Sequence, residues 1–325
     1  MIVVLDAEVF AKTSTADLMV FRWLGATGRH RIVLLDEKAP AYTAWLATLD
    51  AEIRDEWERV VGLGFRQQAQ EPSFHEIQVI ATGESSWSAT PPSLTVGDTI
   101  DLLQRPYRVL VENGFSDRAF LFSMCDRATR EFLEQRRERE WIEVEHCGGL
   151  GDMEKRTKEV RKTVSARRRC SVLFDGDGLR PGRPSPESTA IRDLCYPDIH
   201  HHQLERRAIE NYLPRAALER WCKQAHGKAR LEREAQVKAL FALGDEQRAH
   251  YNMKEGFDKD APNAHKAGAL WDAVKGDTRR VLDQGLDKNI AKLYRDGYVR
   301  SEELERAPAV TRVQEFAREI VERIR

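Results

Sequence analysis

Two short apolar runs that both end in carboxylates constrain this chain more than any other feature. They are YRVLVE at 107–112 and CSVLFDGDG at 170–178. Apolar residues without polar alternation, over five or six positions, describe a strand buried on both faces. Between the two runs lie SDRAFLFSMCDRATREFLEQRRERE (116–140), WIEVEHC (141–147) and GDMEKRTKEVRKTVSARR (151–168). The first reads as one long helix, capped by Ser116 with Asp117 in its first turn. The second reads as a strand closed by Gly148 and Gly149, and the third as a basic helix. Strands alternating with helices imply parallel pairing through right-handed crossovers. After a loop at 180–188, DIHHHQLERRAIENYLP reads as a short strand leading into a helix that stops at Pro214.

This arrangement puts Glu112 at the carboxyl end of one buried strand and Asp175 and Asp177 at the end of another. In open parallel sheets, ligands bind in the crevice outside those ends. If the strands are neighbours, the three carboxylates share one crevice. Ionised carboxylates are expensive to gather unless a cation neutralises them. Hard oxygen donors of this kind suit Mg²⁺ or Mn²⁺. Each acid alone has a plainer reading, since Asp and Gly are common turn residues after strands. The ordered set carries the inference.

Residues 1–104 also alternate strand and helix patterns, with strands at MIVVLDAEVF, RHRIVLLDE (29–37) and HEIQVIATG (75–83). The Ser- and Pro-rich stretch SSWSATPPSL (85–94) suggests a linker or boundary. Residues 216–325 are mostly helical by periodicity, interrupted by an aromatic and charged loop, HYNMKEGFDKDAP (250–262). The reading is three zones: an α/β accessory domain at 1–104, an α/β core at 105–215 and a mainly helical region at 216–325. The five cysteines never form C-x-x-C, which argues against structural zinc. With no basic leader at the start and no bilayer-length apolar stretch, the expectation is a cytoplasmic protein away from membranes. Net charge is −1, so any nucleic-acid affinity must come from local patches. The basic helix KRTKEVRK and Arg167–Arg169 are the expected phosphate-contacting surface. His200, His201 and His202 alternate along a strand, so only the first and third share a face. Packing or hydrogen bonding explains them better than metal binding.

The ordered acids, VLVENG then helix, strand, helix and VLFDGDG, resemble the Toprim domain. SDRAFL and the Gly148–Gly149 pair are similar to nucleases of the OLD (overcoming lysogenization defect) type. LERRAIENYL (204–213) and HYNMKEGF (250–257) resemble segments of related Toprim proteins from bacterial defence systems. The resemblance spans roughly 105–260. In one departure, family members place a second acid four residues after the glutamate, whereas Asp117 lies five after Glu112. That spacing leaves Asp117 a second reading as a first-turn helix residue. VVLDAEVF and IVLLDE also resemble the start of a PIN-type nuclease, although His75 stands where an aspartate is expected.

The resemblance implies a metal-dependent phosphodiester hydrolase that cuts nucleic acid, DNA ahead of RNA, as an anti-phage effector. Metal ligands would be Glu112, Asp175 and Asp177, with Asp117 and Glu210 beside them. Lys254 would supply the fixed positive charge. Glu205 and Glu210 lie five apart and cannot share a helical face well, so Glu210 is expected at the site and Glu205 in solvent. An ATPase or other defence partner and self-association are left open. The alternative is a non-cleaving Toprim module that binds nucleic acid or a partner protein, often an ATPase, as a regulatory subunit.

Overall fold

The computed structural model describes residues 1–70 and 75–324. It is an α/β structure with two four-stranded sheets. The first contains β1 (Ile2–Leu5), β2 (Arg31–Leu34), β3 (Glu76–Ile80) and β4 (Ser93–Thr95), in the order β2-β1-β3-β4. All its pairs are parallel. β1 is buried along its whole length, as its unbroken apolar run requires. Its core includes Phe10, Tyr42, Trp45 and Trp57, with neighbouring rings 4.8–6.3 Å apart. The Ser- and Pro-rich stretch is no linker. It turns at Ser86, bridges to Ser93 and delivers β4 to the same sheet.

The second sheet contains β5 (Tyr107–Val111), β6 (Ile142–His146), β7 (Cys170–Phe174) and β8 (His200–Gln203), in the order β6-β5-β7-β8. Again every pair is parallel. β5 and β7 are the central strands and carry the apolar runs, whereas β6 and β8 are edges of mixed polarity. The chain leaves β5 toward β6 on one side and returns through β7 on the other. The strand order therefore reverses between β5 and β7, the place where open parallel sheets form their crevice at the strands' carboxyl ends.

Three expected helices are interrupted. Residues 116–140 form two helices, Ser116–Met124 and Arg127–Glu138, because Asp126 caps the second through the Thr129 N–H at 2.7 Å. Ser116 is not the cap of the first; Phe115 holds that position without a side-chain bond. The basic helix divides into Leu150–Val160 and Val164–Arg168, the second capped by Thr163. LERRAIENYL is not a helix. Only Ile209–Tyr212 winds into a 3₁₀ turn, and the residues before it run irregularly along the sheet edge.

The histidine strand behaves as expected. His200 and His202 face Phe316 of the helix Pro308–Ile324, with ring centroids 4.7 and 5.6 Å away. His200 also bonds to Ser171 Oγ at 2.7 Å and Glu319 Oε2 at 2.6 Å. One apolar cluster joins Val109, Val111 and Phe120 to Tyr212, Tyr251, Tyr294 and Phe316. The core of the second sheet thus continues through the C-terminal helices rather than stopping near residue 215. Among the described residues, no helix is long and apolar enough to cross a membrane.

Candidate functional site

The β5–β7 crevice begins with Glu112, the first residue after β5, and Asp175, the first after β7. The Asp175 N–H donates to Glu112 Oε1 at 3.0 Å, which ties the two strand ends together. Gly176 follows where no side chain fits: a Cβ there would lie 2.5 Å from the Leu204 carbonyl oxygen. This close approach lets the Asp175–Asp177 turn lie against the chain leaving β8. Asp177 is exposed and has a positive φ of 48°, a conformation aspartate tolerates better than most residues. Its N–H donates to the Arg207 carbonyl at 2.8 Å.

The irregular course of residues 204–212 positions Glu210. Asn211, buried beside it, donates from Nδ2 to the carbonyls of Arg248 and Tyr251, both at 2.9 Å. Its Oδ1 accepts from the Ala208 N–H at 3.1 Å. Tyr294 donates its hydroxyl to the Ile209 carbonyl at 3.0 Å. The Ile209 N–H in turn donates to Asp175 Oδ1 at 3.2 Å. Glu210 is thereby held almost fully buried, while Glu205 turns outward to pair with Arg312 at 2.8 Å. Glu210 thus lies inward and Glu205 outward. They part because the chain turns, not because a helix separates their faces.

Lys254 arrives from the turn before the helix Gly256–Asp260. Its Nζ stands 2.8 Å from Glu210 Oε1. The turn that carries it depends on Gly256, whose φ is +72° and whose Cβ would fall 2.2 Å from the Asp283 carbonyl oxygen. Asp117 lies in the first turn of Ser116–Met124 and is buried. Its Oδ2 accepts from the Asn113 N–H at 2.7 Å, and its own N–H donates to the Asn113 carbonyl at 3.0 Å. The additional residue between Glu112 and Asp117 is accommodated in this reciprocal turn.

The six residues feel one another's charge. Burial, then the charges of Asp177 and Asp117, push the Glu112 carboxyl up to about 7, against the Asp175 N–H and Lys254. Burial and the charge of Glu210 push Asp117 up to about 6, against its bond to Asn113. Burial and the surrounding carboxylates hold Asp175 well above its ordinary value, with Glu112 and Glu210 the main neighbours. Asp177, though exposed, is raised mainly by partial desolvation of its carboxyl, with Arg207 and Lys254 opposing. Burial alone would lower Lys254, but Glu210, Asp175 and Asp117 outweigh it and raise the ammonium's affinity for its proton. Acids raised in this way take up protons or bind cations.

The donor set fits a hard dication chemically: five carboxylates around one strand-end crevice, several below the surface. Its side chains do not form a closed cage. Among the described residues, no three His, Cys, Asp or Glu groups stand as a ready metal-binding set. Lys254 stands among the acids, paired with Glu210. Drawing Glu112, Asp175 and Asp177 onto one ion therefore requires side-chain rotation.

Two other expected surfaces change. The basic helix is neutralised by its own acids: Lys155–Asp152 at 2.8 Å, and Lys158–Glu154 and Lys162–Glu159 both at 2.6 Å. Arg169 is buried over the Tyr107 ring, where burial and Arg29 push it down to about 9. In the first sheet, Asp6 Oδ1 accepts from the Glu8 N–H at 2.9 Å as a helix cap. His75 precedes β3 and so lies at the opposite end of the sheet from Asp6. The two cannot share a catalytic edge. Sequence reasoning missed Asn211, although its place beside Glu210 in IENY was visible. Compared with known proteins, the chain matches no family model, no curated protein and no solved structure.

Proposed function

We propose that the chain is a divalent-metal-dependent nuclease of the Toprim type, cutting phosphodiester bonds at the β5–β7 crevice. The supporting observation is the meeting of Glu112 and Asp175 where the strand order reverses, linked by the 3.0 Å Asp175 N–H bond. Glu112, Asp175 and Asp177 would hold Mg²⁺ or Mn²⁺, with Asp117 and Glu210 supplying further negative charge. The bound metal would supply Lewis acidity toward a phosphoryl oxygen and an activated water.

The chain's own residues have separate tasks. The Asp175 N–H orients Glu112 toward the crevice. Asn211 and Tyr294 fix the backbone around Glu210, so Glu210 can hold the Lys254 ammonium at the crevice wall. Lys254 would balance charge developing on the phosphoryl oxygens. With half its side chain exposed, it can reach a substrate from that position. DNA is the first substrate to test and RNA the second. Anti-phage defence is the biological setting proposed from the resemblance.

The test is incubation of the chain with single-stranded and duplex DNA and RNA, with Mn²⁺ or Mg²⁺ and with chelator. Metal-dependent cleavage is expected, with activity lost in Asp175→Asn and Glu112→Gln. Cleavage that survives both substitutions would remove this site from the proposal. The contact between Lys254 and Glu210 favours a second reading, since a cluster partly neutralised by its own lysine could bind without cutting. Metal-dependent binding without turnover would select that regulatory module.

A further inference from the structure

The paired state of the basic helix raises the question of where unpaired cations lie. Many surface arginines have a carboxylate one helical turn away, as in Arg127–Glu131, Arg215–Glu219 and Arg230–Glu234. Arg118, Arg137 and Arg139 form no ion pair among the described residues. All three line one cleft of about 710 Å³, between the end of the helix Thr15–Ala26 and the β6 side of the second sheet. Arg29 lines it too, with Glu140 and Glu143 as the carboxylates. Positive charge is therefore in excess. Like charges gathered in excess of their counter-charges favour an anionic ligand.

The cleft also carries an aromatic surface. Trp23 is 58% exposed and lies on its wall. Trp141, which also lines the cleft, is covered by the guanidinium groups of Arg136 and Arg139, 4.7 and 5.2 Å from its ring. Trp23 keeps a free face. Guanidinium forks bind phosphates in bidentate fashion, and a free indole stacks on an unpaired base. A paired duplex hides its base faces, which a single strand presents. Arg118 directly follows Asp117, and its guanidinium lies 6.0 Å from the ring of Phe115, itself 66% exposed. Arg118 shares a helical turn with Asp117, while Pro106 and Trp141 place the rest of the cleft at the amino ends of β5 and β6.

We propose that this cleft binds a single-stranded stretch of nucleic acid, with its phosphates on Arg118, Arg137 and Arg139 and a base stacked on Trp23. The proposal rests on the nuclease reading and names the form of its substrate. The cleft volume falls within the usual range for small-ligand sites, on the order of 300–1,000 Å³. One or two nucleotides would occupy it, and the strand would continue past Phe115.

The test is fluorescence anisotropy of a labelled twelve-nucleotide strand with the full chain in EDTA, where metal-dependent turnover is suppressed. Binding is expected to weaken as salt rises. Arg137→Gln with Arg139→Gln should weaken it by about tenfold or more and reduce the salt slope by roughly 0.7 for each lost phosphate contact. Trp23→Ala should weaken it by about tenfold and Trp23→Phe much less. A duplex of the same sequence should bind more weakly than the strand. Circular dichroism should show that these surface variants are folded. Wild-type-like binding by folded Arg137→Gln/Arg139→Gln and Trp23→Ala would overturn the proposal, as would equal affinity for duplex or no binding at low salt. A strand bound through this cleft but left uncut with Mn²⁺ would defeat the nuclease reading alone. Cleavage undiminished in the cleft variants would defeat the cleft alone.

Discussion

Glu112 shows how one partly buried residue can couple the stability of the fold to pH. Its carboxyl is pushed up to about 7 and that of Asp117 to about 6, in both cases chiefly by burial. The folded state therefore binds these protons more tightly than the unfolded chain. Their contribution to stability is full below their ordinary values and is lost as pH rises through about 6 for Asp117 and about 7 for Glu112. His200 and His202 act with the opposite sign. Burial lowers both to about 4, so their contribution is full above the ordinary histidine value and is lost as pH falls. The difference between wild type and Glu112→Gln isolates the first effect, because glutamine can still accept the Asp175 N–H. In chelator, wild type should lose stability relative to the variant between pH 5 and 8. The loss should be on the order of a few kcal/mol at most. Mn²⁺ should offset it by favouring ionised acids. A wild-type-minus-variant melting difference that stays flat with pH would refute this account.

At the scale of elements, apolar patterning exposed the central strands, and local competition decided the helix ends. β5 and β7 are buried on both faces and could be read from their apolar runs. β4 could not, because three residues of mixed burial in a Ser- and Pro-rich stretch carry no clear period. The break at Asp126 had a readable signal in its capping side chain, hidden within a continuous helical pattern. The irregular path of LERRAIENYL had a weaker signal: its shape follows long-range bonds from Asn211 to residues 248 and 251. The convergence of Glu210 and Lys254 was legible only through resemblance, since their closeness depends on that path. Gly176→Ala tests the contact between the Asp175–Asp177 turn and residue 204. The added methyl meets backbone at 2.5 Å, so a loss of roughly 1–3 kcal/mol is expected in urea unfolding, together with weaker Mn²⁺ binding. His200→Ala tests the other edge. Losing the bonds to Ser171 and Glu319 should lower stability by about 1–3 kcal/mol and leave Mn²⁺ affinity unchanged. A neutral Gly176→Ala, or a His200→Ala that abolishes metal binding, would contradict these assignments.

Across the whole molecule, charge is distributed so that a net of −1 conceals opposite local fields. The acids gather at the carboxyl ends of β5 and β7, while unpaired arginines line the cleft on the β6 side. The units built around the two sheets meet through partly buried polar contacts: Arg29 donates to the Arg105 carbonyl, and Ser165 donates to Asp101. The second sheet depends further on the C-terminal helices. Phe120 packs against Tyr212 and Tyr294 at 5.3 and 5.2 Å, and Tyr294 also holds the backbone beside Glu210. Stability and site geometry consequently share side chains. A chain ending at Arg215 would expose this cluster and should not unfold cooperatively in thermal melts followed by circular dichroism. Lys254→Met in the full chain leaves the cluster intact, so it should fold while losing about 10²–10³ in turnover, the scale expected for one transition-state charge. Cooperative folding of the truncated chain would show that residues 216–325 are a separable addition. Full activity in Lys254→Met would remove the ammonium from the chemistry and leave it as the counter-ion of Glu210.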